Sequence, residues 1–146
     1  MKHIYLAGPF FSDEQIDRLE RVEAALEKNP TVASFFSPFR HQYPEYEFGT
    51  KEWAEVVFKG DRSSLEAADV AVAIMDYDEH HVDPGTAWEV GFAGATNKPV
   101  IVIKEKEGGI NIMISVPGHA FVTDINDLAT YDFEMMPENE WNGEIF

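Results

Sequence analysis

The chain contains no cysteine, so a disulfide framework and a thiolate nucleophile are both excluded. Basic residues are also scarce, because 11 Lys and Arg stand against 27 Asp and Glu and leave a formal net charge of −16. A surface of this sign repels nucleic-acid phosphates and anionic lipids alike. We therefore expect no nucleic acid and no membrane as a partner, and a small neutral or cationic ligand instead.

Long hydrophobic runs are missing as well. No apolar run approaches the ~20 residues that a membrane-spanning helix needs. Residues 1–6 pass directly into a strand pattern and lack the apolar core and the cleavage site of a signal peptide. These absences predict a cytoplasmic protein.

Several motifs that would assign a chemistry are absent too. There is no Gly-x-Gly-x-x-Gly fingerprint and no Walker loop, which removes the usual signals for dinucleotides and nucleoside triphosphates. There is also no Gly-x-Ser-x-Gly elbow for acyl transfer. We expect a reaction that needs no cofactor and relies on the chain's own side chains.

The residues that are present indicate a single folded domain over residues 1–146. Hydrophobic residues make up 45% of the chain and aromatic residues 13%, enough to bury a core. Apolar runs typical of strands occupy residues 3–7, 31–36, 70–75, 100–103 and 120–122. Helical patterns cover residues 12–28, 50 or 51 to 68, and 83–97, with short helical segments expected at 111–114 and 124–129.

This alternation of strands and helices predicts an α/β fold, a doubly wound (flavodoxin-like) parallel sheet of about five strands flanked by helices. Ligands of such sheets bind at the carboxyl ends of the strands. The loops after Ala7, Phe36 and Met75 all open on that edge. We therefore expect the functional residues to gather there.

The helix that begins near residue 83 carries a clear start signal. Asp83 suits the N-cap position, and Pro84 suits the first helical position. Trp88, Phe92 and Ala95 then share one apolar face. Because Asp83 also stands on the ligand edge of the sheet, it is both a helix cap and a candidate ligand contact.

Two acids break the apolar patterns around them. Glu89 has only small or apolar neighbours at helical spacing, and Asp61 lies within the apolar stripe of the preceding helix. A carboxylate in such surroundings costs free energy unless it is paired or hydrogen-bonded, and its pKa is expected to rise. Two such acids beside the same central strand predict a shared site. Paired carboxylates are what glycosyl transfer requires, one as nucleophile and one assisting the leaving group.

A metal site is the competing interpretation for the loop before this helix. Asp76, Asp78, His80, His81 and Asp83 have the side chains for it. Adjacent histidines seldom point at one ion, however, and a solvated acidic loop explains the same composition. We therefore expect no metal.

Together these features resemble the nucleoside 2-deoxyribosyltransferases over essentially the whole chain. The matching segments are residues 4–11, Gln42 and Tyr43 in the long loop, Asp61, residues 83–91, residues 111–113, and the aromatic C-terminus. Each piece is weak alone, but the ordered set is specific. The resemblance implies that Glu89 is the nucleophile, which forms a covalent 2-deoxyribosyl ester that a second nucleobase displaces with net retention.

The resemblance also implies roles for the other residues of the site. Asp83 and Asp61 match the acids that hydrogen-bond and protonate the nucleobase, and Tyr5 matches the tyrosine that orients the nucleophile. The matching residues that contact substrate are Gln42 at the base, Phe11 as an aromatic wall, and Gly8 in the same loop.

A further group points to a site shared between subunits. Asn111 and Met113 match residues that a neighbouring subunit contributes around the sugar 5′-hydroxyl. The resemblance therefore implies a homo-oligomer, a hexamer built as a trimer of dimers, that acts on deoxynucleosides and free nucleobases. The chain ends in Phe146, where relatives often end in tyrosine, so only its α-carboxylate and ring can contribute.

Two other functions remain open at this stage. A hydrolase on the same scaffold would cleave deoxynucleosides or their 5′-monophosphates, depending on how well the site excludes water. A non-catalytic nucleoside sensor is the other alternative, but it would not explain why the chain bears the free-energy cost of burying the Glu89 carboxylate. Incubation of the protein with a deoxynucleoside and a second base distinguishes the transferase, the hydrolase and the sensor.

Overall fold

The computed structural model describes residues 1–146 and contains a five-stranded sheet with helices on both faces. The strands are β1 (Lys2–Ala7), β2 (Val32–Phe36), β3 (Val70–Ile74), β4 (Val100–Ile103) and β5 (Ala120–Val122). The helices are α1 (Asp13–Lys28), α2 (Lys51–Ala67), α3 (Pro84–Ala95) and the short α4 (Ile112–Ser115). Two 3₁₀ turns complete the set, Pro38–Arg40 and Ile125–Ala129.

All neighbouring strands pair in parallel, in the order β2-β1-β3-β4-β5. The predicted doubly wound sheet is thereby confirmed, and every predicted strand forms within about a residue of its expected bounds. The chain reverses its winding direction between β1 and β3. Ligands of open α/β sheets bind at such a reversal, outside the carboxyl ends of the two strands.

The strands divide the core into two layers because successive side chains point to opposite faces. On β1, Ile4 and Leu6 face one layer, which α1 and the second 3₁₀ turn cover. Tyr5 and Ala7 face the other layer, together with the small residues of β3, below α2 and α3. Tyr5 is fully buried. The pleat of β1 therefore directs the Tyr5 hydroxyl toward the helices that carry the two out-of-place acids.

Helix α3 begins as its sequence predicts but buries a different face. The Asp83 carboxylate caps the helix by accepting the Thr86 backbone N–H at 3.1 Å. The fully buried side chains are Thr86, Val90 and Ala93, while Trp88 is 47% exposed. The helix is set against the sheet by its small residues, which allow close approach, and its large aromatic side chain lies outside the core.

The loop after β3 is held by ion pairs. The buried Asp76 accepts from the buried Lys104 ammonium at 3.0 Å and from two backbone N–H groups after β4. No three His, Asp or Glu side chains converge in an arrangement that could hold a metal ion. Asp76 therefore ties β3 to β4.

None of the helices is both long enough and apolar enough to cross a membrane.

Candidate active site

A cavity of about 380 Å³ opens beside the carboxyl end of β1, between α2 and α3. Its volume falls within the ~300–1,000 Å³ typical of small-molecule sites. The lining joins aromatic rings to three carboxylates: Gly8, Phe10, Phe11, Pro38, Phe58, Asp61, Arg62, Leu65, Asp83, Gly85, Trp88 and Glu89. All three acids singled out from the sequence therefore meet in one cavity, Asp61 from α2 and the other two from α3 and its N-cap.

Glu89 lies in the second turn of α3 and is oriented by Tyr5. The Tyr5 hydroxyl donates a hydrogen bond to Glu89 Oε2. Burial, followed by the charges of Glu89 and Asp61, raises the pKa of Tyr5, so this hydroxyl keeps its proton and remains a donor. One oxygen of Glu89 is thus fixed by the core of the protein, and the carboxylate faces the cavity.

The Glu89 carboxyl group has a perturbed acidity. Burial raises the pKa of Glu89 to about 7, the nearby charges of Asp61 and Asp83 add to the rise, and the Tyr5 hydrogen bond opposes it. A carboxyl group with this pKa is partly ionised near neutral pH. Groups with shifted pKa values in a cavity are typical of catalytic sites.

Asp61 lies on α2, across the cavity from Glu89's helix. Burial raises the pKa of Asp61 to about 6. Its Oδ1 atom is buried and has no hydrogen-bond partner. Its sequence neighbour Arg62 pairs instead with Glu66 at 2.9 Å. A buried polar atom without a partner is rare in folded proteins, and this one borders a cavity that could supply the missing partner.

Asp83 combines a structural and a functional position. Its Oδ2 atom accepts from both the backbone N–H and the side-chain hydroxyl of Thr86, at 3.1 and 3.2 Å. The same residue lines the cavity. The cap therefore fixes one oxygen and holds the second near the space where a ligand would bind.

The other residues of the loop after β1 also lie where the sequence predicts. Gly8 lines the cavity, and a Cβ atom there would lie 3.0 Å from the Ile74 side chain. Phe11 lines the same cavity and stacks on Phe10 with ring centroids 5.8 Å apart. Gly8 thus lets the loop pass close to β3, and the phenyl rings form one wall.

Gln42 is not brought into this cavity. Its side-chain amide donates to the Phe39 backbone carbonyl oxygen at 2.8 Å, and the Gln42 backbone carbonyl oxygen accepts from the Trp53 indole N–H at 3.3 Å. The side chain is exposed. A contact between Gln42 and a nucleobase stays a prediction.

Asn111, Met113 and Phe146 meet in a second cavity, of about 350 Å³. Ala87, Val90 and Gly91 of α3 line it as well, so the two cavities lie on opposite sides of the helix that carries Glu89. Asn111 and Met113, which the resemblance assigns to a neighbouring subunit, therefore lie together with Phe146, but apart from the three acids of the same chain.

The C-terminus is held in place beside this second cavity. Ile145 forms a parallel bridge with Ile110, and the Ile112 N–H donates to the Phe146 carbonyl oxygen at 2.8 Å. The Phe146 ring packs edge-on against His80 and His81, with ring centroids 5.8 and 6.0 Å away. The backbone bridge, the backbone hydrogen bond and the ring contacts together hold this end of the chain.

Sequence reasoning missed part of the cavity wall. Phe58 and Trp88 line it, and both rings are about half exposed. The helical spacing of Trp88 to Phe92 suggested core packing. The sequence offers only one signal against that, namely that Trp88 immediately precedes the misplaced Glu89.

Comparisons with known proteins agree with this geometry. Residues 4–137 match the family model described as nucleoside 2-deoxyribosyltransferase. A 2-deoxyribosyltransferase structure from Bacillus psychrosaccharolyticus superposes with a TM-score of 0.86 and 38% identity, covering 95% of this chain and 98% of that one. A conserved protein from Enterococcus faecalis V583, with TM-score 0.69 and 21% identity over 88% of this chain and 95% of that one, shares the fold.

Two curated relatives are named nucleoside deoxyribosyltransferase. The one from Limosilactobacillus fermentum is 36% identical over 108 residues, which is 68% of this chain but only 63% of that enzyme's length. The one from Lactobacillus johnsonii is 29% identical over 97% of this chain and its own full length. The matches to the family model and to these relatives together show that the chain belongs to the nucleoside 2-deoxyribosyltransferases, a family of transferase enzymes.

Proposed function

We propose that this protein transfers the 2-deoxyribosyl group of a deoxynucleoside to another nucleobase through a covalent ester on Glu89. The observation that carries the proposal is the convergence of Asp61, Asp83 and a Tyr5-bound Glu89 in one cavity walled by aromatic rings. A nucleophile held by a buried hydroxyl, next to a second carboxyl group, is the arrangement that glycosyl transfer with retention uses.

In the first step a Glu89 oxygen attacks C1′ of the sugar as the bond between C1′ and the base nitrogen breaks. The electron pair of that bond leaves with the base, which takes up a proton from an acid of the site. The products are a glycosyl ester and a neutral free base. Tyr5 holds the other oxygen of Glu89, so the attacking oxygen approaches from a defined direction.

In the second step a nitrogen of the incoming base attacks C1′ from the opposite side. The ester bond breaks, its electron pair returns to the Glu89 carboxylate, and the proton from the base nitrogen passes to the acid that gave one up earlier. Two inversions at C1′ give net retention. No oxidant, reductant or cofactor is required for this balance.

Asp61 suits the role of proton donor and acceptor better than Asp83. Burial raises the pKa of Asp61 to about 6, so a substantial protonated fraction persists close to neutral pH. A general acid works best when its pKa lies near the operating pH. Asp83 already accepts two hydrogen bonds from Thr86 through Oδ2, which suits it to accept a further N–H from the base.

The separation of the two cavities supports a site that is completed by a second copy of the chain. Met113 is 75% exposed and Phe146 42% exposed, beside Asn111. Exposed apolar groups of this kind mark interaction surfaces. In the proposed homo-oligomer, a hexamer built as a trimer of dimers, this second cavity of one subunit faces the three acids of its neighbour and holds the sugar 5′-hydroxyl.

The decisive experiment incubates the protein with deoxyinosine or thymidine and adenine, followed by chromatography. We expect deoxyadenosine to form together with free hypoxanthine or thymine. With deoxyinosine alone, mass spectrometry should show the chain heavier by one deoxyribosyl unit. Base release without deoxyadenosine would assign a hydrolase, and unchanged reactants would assign a binding protein.

Tyr5→Phe tests the orientation of the nucleophile. The change removes the hydrogen bond that lowers the pKa of Glu89, so this pKa rises further and less carboxylate is present at pH 7. We expect transfer at pH 7 to fall by about 10- to 100-fold, through lost ionisation and lost orientation. Because the Glu89 carboxyl group is the weaker acid of its pair with Asp61, the decline of activity at high pH should move to higher pH.

Initial rates measured from pH 5 to pH 9 check this expectation. Tyr131→Phe is the matched control, because the Tyr131 hydroxyl donates to the Pro137 carbonyl oxygen far from the cavity. An unchanged pH profile in Tyr5→Phe would show that the tyrosine does not act through Glu89.

A further inference from the structure

Trp88 differs from the other two tryptophans of the chain. The indole N–H of Trp53 donates to the Gln42 carbonyl oxygen, and that of Trp141 donates to the Glu144 carbonyl oxygen. The Trp88 indole N–H has no acceptor within the protein, and its ring belongs to neither layer of the core. It is 47% exposed. A large aromatic ring that is half exposed and has an unpaired N–H is unusual enough to suggest a ligand contact.

The ring is nevertheless held in a defined orientation. It stacks on Phe92 with centroids 5.3 Å apart and an interplanar angle of 17°, and Phe58 packs against it edge-on at 5.4 Å. The Arg62 guanidinium lies 5.6 Å from the centroid of the Phe92 ring. Phe92 supports the indole from one side and Phe58 supports it at its edge, without burying it.

The position of this ring relates it to the reacting groups. Trp88 and Glu89 are consecutive residues of α3, and both line the cavity that Asp61 and Asp83 share. Phe10 and Phe11 form a second aromatic group that lines the same cavity. A flat ligand whose sugar reaches Glu89 would have its base among these aromatic rings.

We propose that Trp88 is a specificity-determining residue that stacks on the nucleobase and favours bicyclic purines over pyrimidines. This inference rests on the proposed function for the identity of the ligand. Every nucleobase has a π-face that can stack on an aromatic side chain, and the overlap grows with the size of the base. The free indole N–H is in addition a hydrogen-bond donor at the border of the cavity.

The test compares Trp88→Leu, Trp88→Phe and the control Trp141→Leu, in which a tryptophan of a different cavity is changed. For Trp88→Leu we expect the KM of a purine deoxynucleoside to rise about tenfold, the size of one lost stacking interaction. The KM of thymidine should rise less than about threefold for the same reason. Turnover at saturation should stay near wild type, Trp88→Phe should recover most of the affinity, and Trp141→Leu should leave both KM values unchanged.

A second measurement does not depend on turnover. In the variant Trp53→Phe/Trp141→Phe, Trp88 is the only tryptophan, and adenine should quench its fluorescence more strongly than thymine does. If wild type shows no transfer but quenching occurs, the proposed function fails and the stacking role stands. If transfer occurs but Trp88→Leu leaves the purine KM unchanged, the stacking role is overturned.

Size-exclusion chromatography with light scattering separates this role from a subunit contact. We expect Trp88→Leu and wild type to have the same mass in solution. A lower mass for Trp88→Leu would make the exposed ring part of an interface between copies of the chain, and would overturn the assignment to the nucleobase.

Discussion

Glu89→Gln and Glu89→Ala are expected to lower transfer by about 10⁴-fold or more, because each removes the carboxylate that we propose forms the bond to C1′. Glutamine keeps an oxygen that can accept from Tyr5, whereas alanine does not. Both variants lack the carboxylate and should lose the deoxyribosyl adduct. The glutamine variant should still bind substrate, because its amide oxygen keeps the contact with Tyr5. Transfer assays, mass spectrometry of the intact chain and equilibrium binding of deoxyinosine check the three statements.

The stability of the glutamine variant provides an independent control. Burial raises the pKa of Glu89 to about 7 from an ordinary 4.5, so the folded state binds this proton more tightly than the unfolded state. The resulting stabilisation is complete below about pH 4.5 and is lost as the pH rises through 7, up to about 3 kcal/mol. Glutamine carries no charge to desolvate and should not show this loss.

Urea unfolding of wild type and Glu89→Gln at pH 5 and pH 8 checks this difference. The free energy of unfolding of the variant should increase relative to that of wild type at pH 8, and both proteins should have the same mass in solution at both pH values. Full transferase activity in either Glu89 variant would refute the nucleophile assignment. If Glu89→Gln is inactive and also unfolded, activity and folding of Glu89→Ala at pH 5 test the nucleophile assignment instead.

Asp61→Asn is expected to lower transfer of ordinary deoxynucleosides by about 10²- to 10⁴-fold, the usual contribution of a general acid. Asparagine preserves the shape of the side chain but cannot exchange the proton that the base requires. In wild type, burial raises the pKa of Asp61 to about 6 and that of Glu89 to about 7. The active form carries one proton on the pair, so its amount is largest between pH 6 and pH 7.

The pH profile of wild type should therefore be bell-shaped, with limbs that belong to the pair rather than to one residue. In Asp61→Asn only the Glu89 carboxyl group titrates, and its pKa falls because the charge of Asp61 no longer raises it. The residual activity should then rise with pH to a plateau. A bell-shaped profile in Asp61→Asn would assign the proton transfer to another group.

A substrate that needs no acid sharpens this test. The base of 7-methyl-2′-deoxyguanosine leaves as a neutral molecule without being protonated, so formation of its Glu89 ester should be close to wild type in Asp61→Asn. Glu55→Gln is the matched control, because Glu55 lies on the same helix with an exposed side chain. If the activated substrate is as slow as deoxyinosine, Asp61 has a role other than proton donation.

Local patterns in the sequence predicted both anomalies that proved to share a cavity. The N-cap at Asp83 depends on Pro84 and on the helix that follows, and the misplaced Glu89 is recognised from neighbours within one helical turn. Asp61 is recognised in the same way. The family resemblance then connected these acids and Tyr5 to one chemistry, and membership in that family is confirmed.

Trp88 shows where local patterns fail. Its spacing to Phe92 suggested a core face, but the residues that α3 buries are Thr86, Val90 and Ala93. Which face of a short, mostly apolar helix is buried depends on the shape of the sheet below it, and that shape is set by residues distant in sequence.

The alternation of strands and helices, the helix starts and the identity of the acids follow from local sequence, because each depends on interactions within a few residues. Three further features arise only from the folded arrangement: the Tyr5 hydroxyl reaches Glu89, Asp61 keeps an unpartnered oxygen, and Asn111 and Phe146 lie across α3 from the acids. These facts depend on how parallel strands distant in sequence pair and on how closely small side chains let the helices approach them. The acidity of a carboxyl group likewise follows from burial, which no local pattern measures.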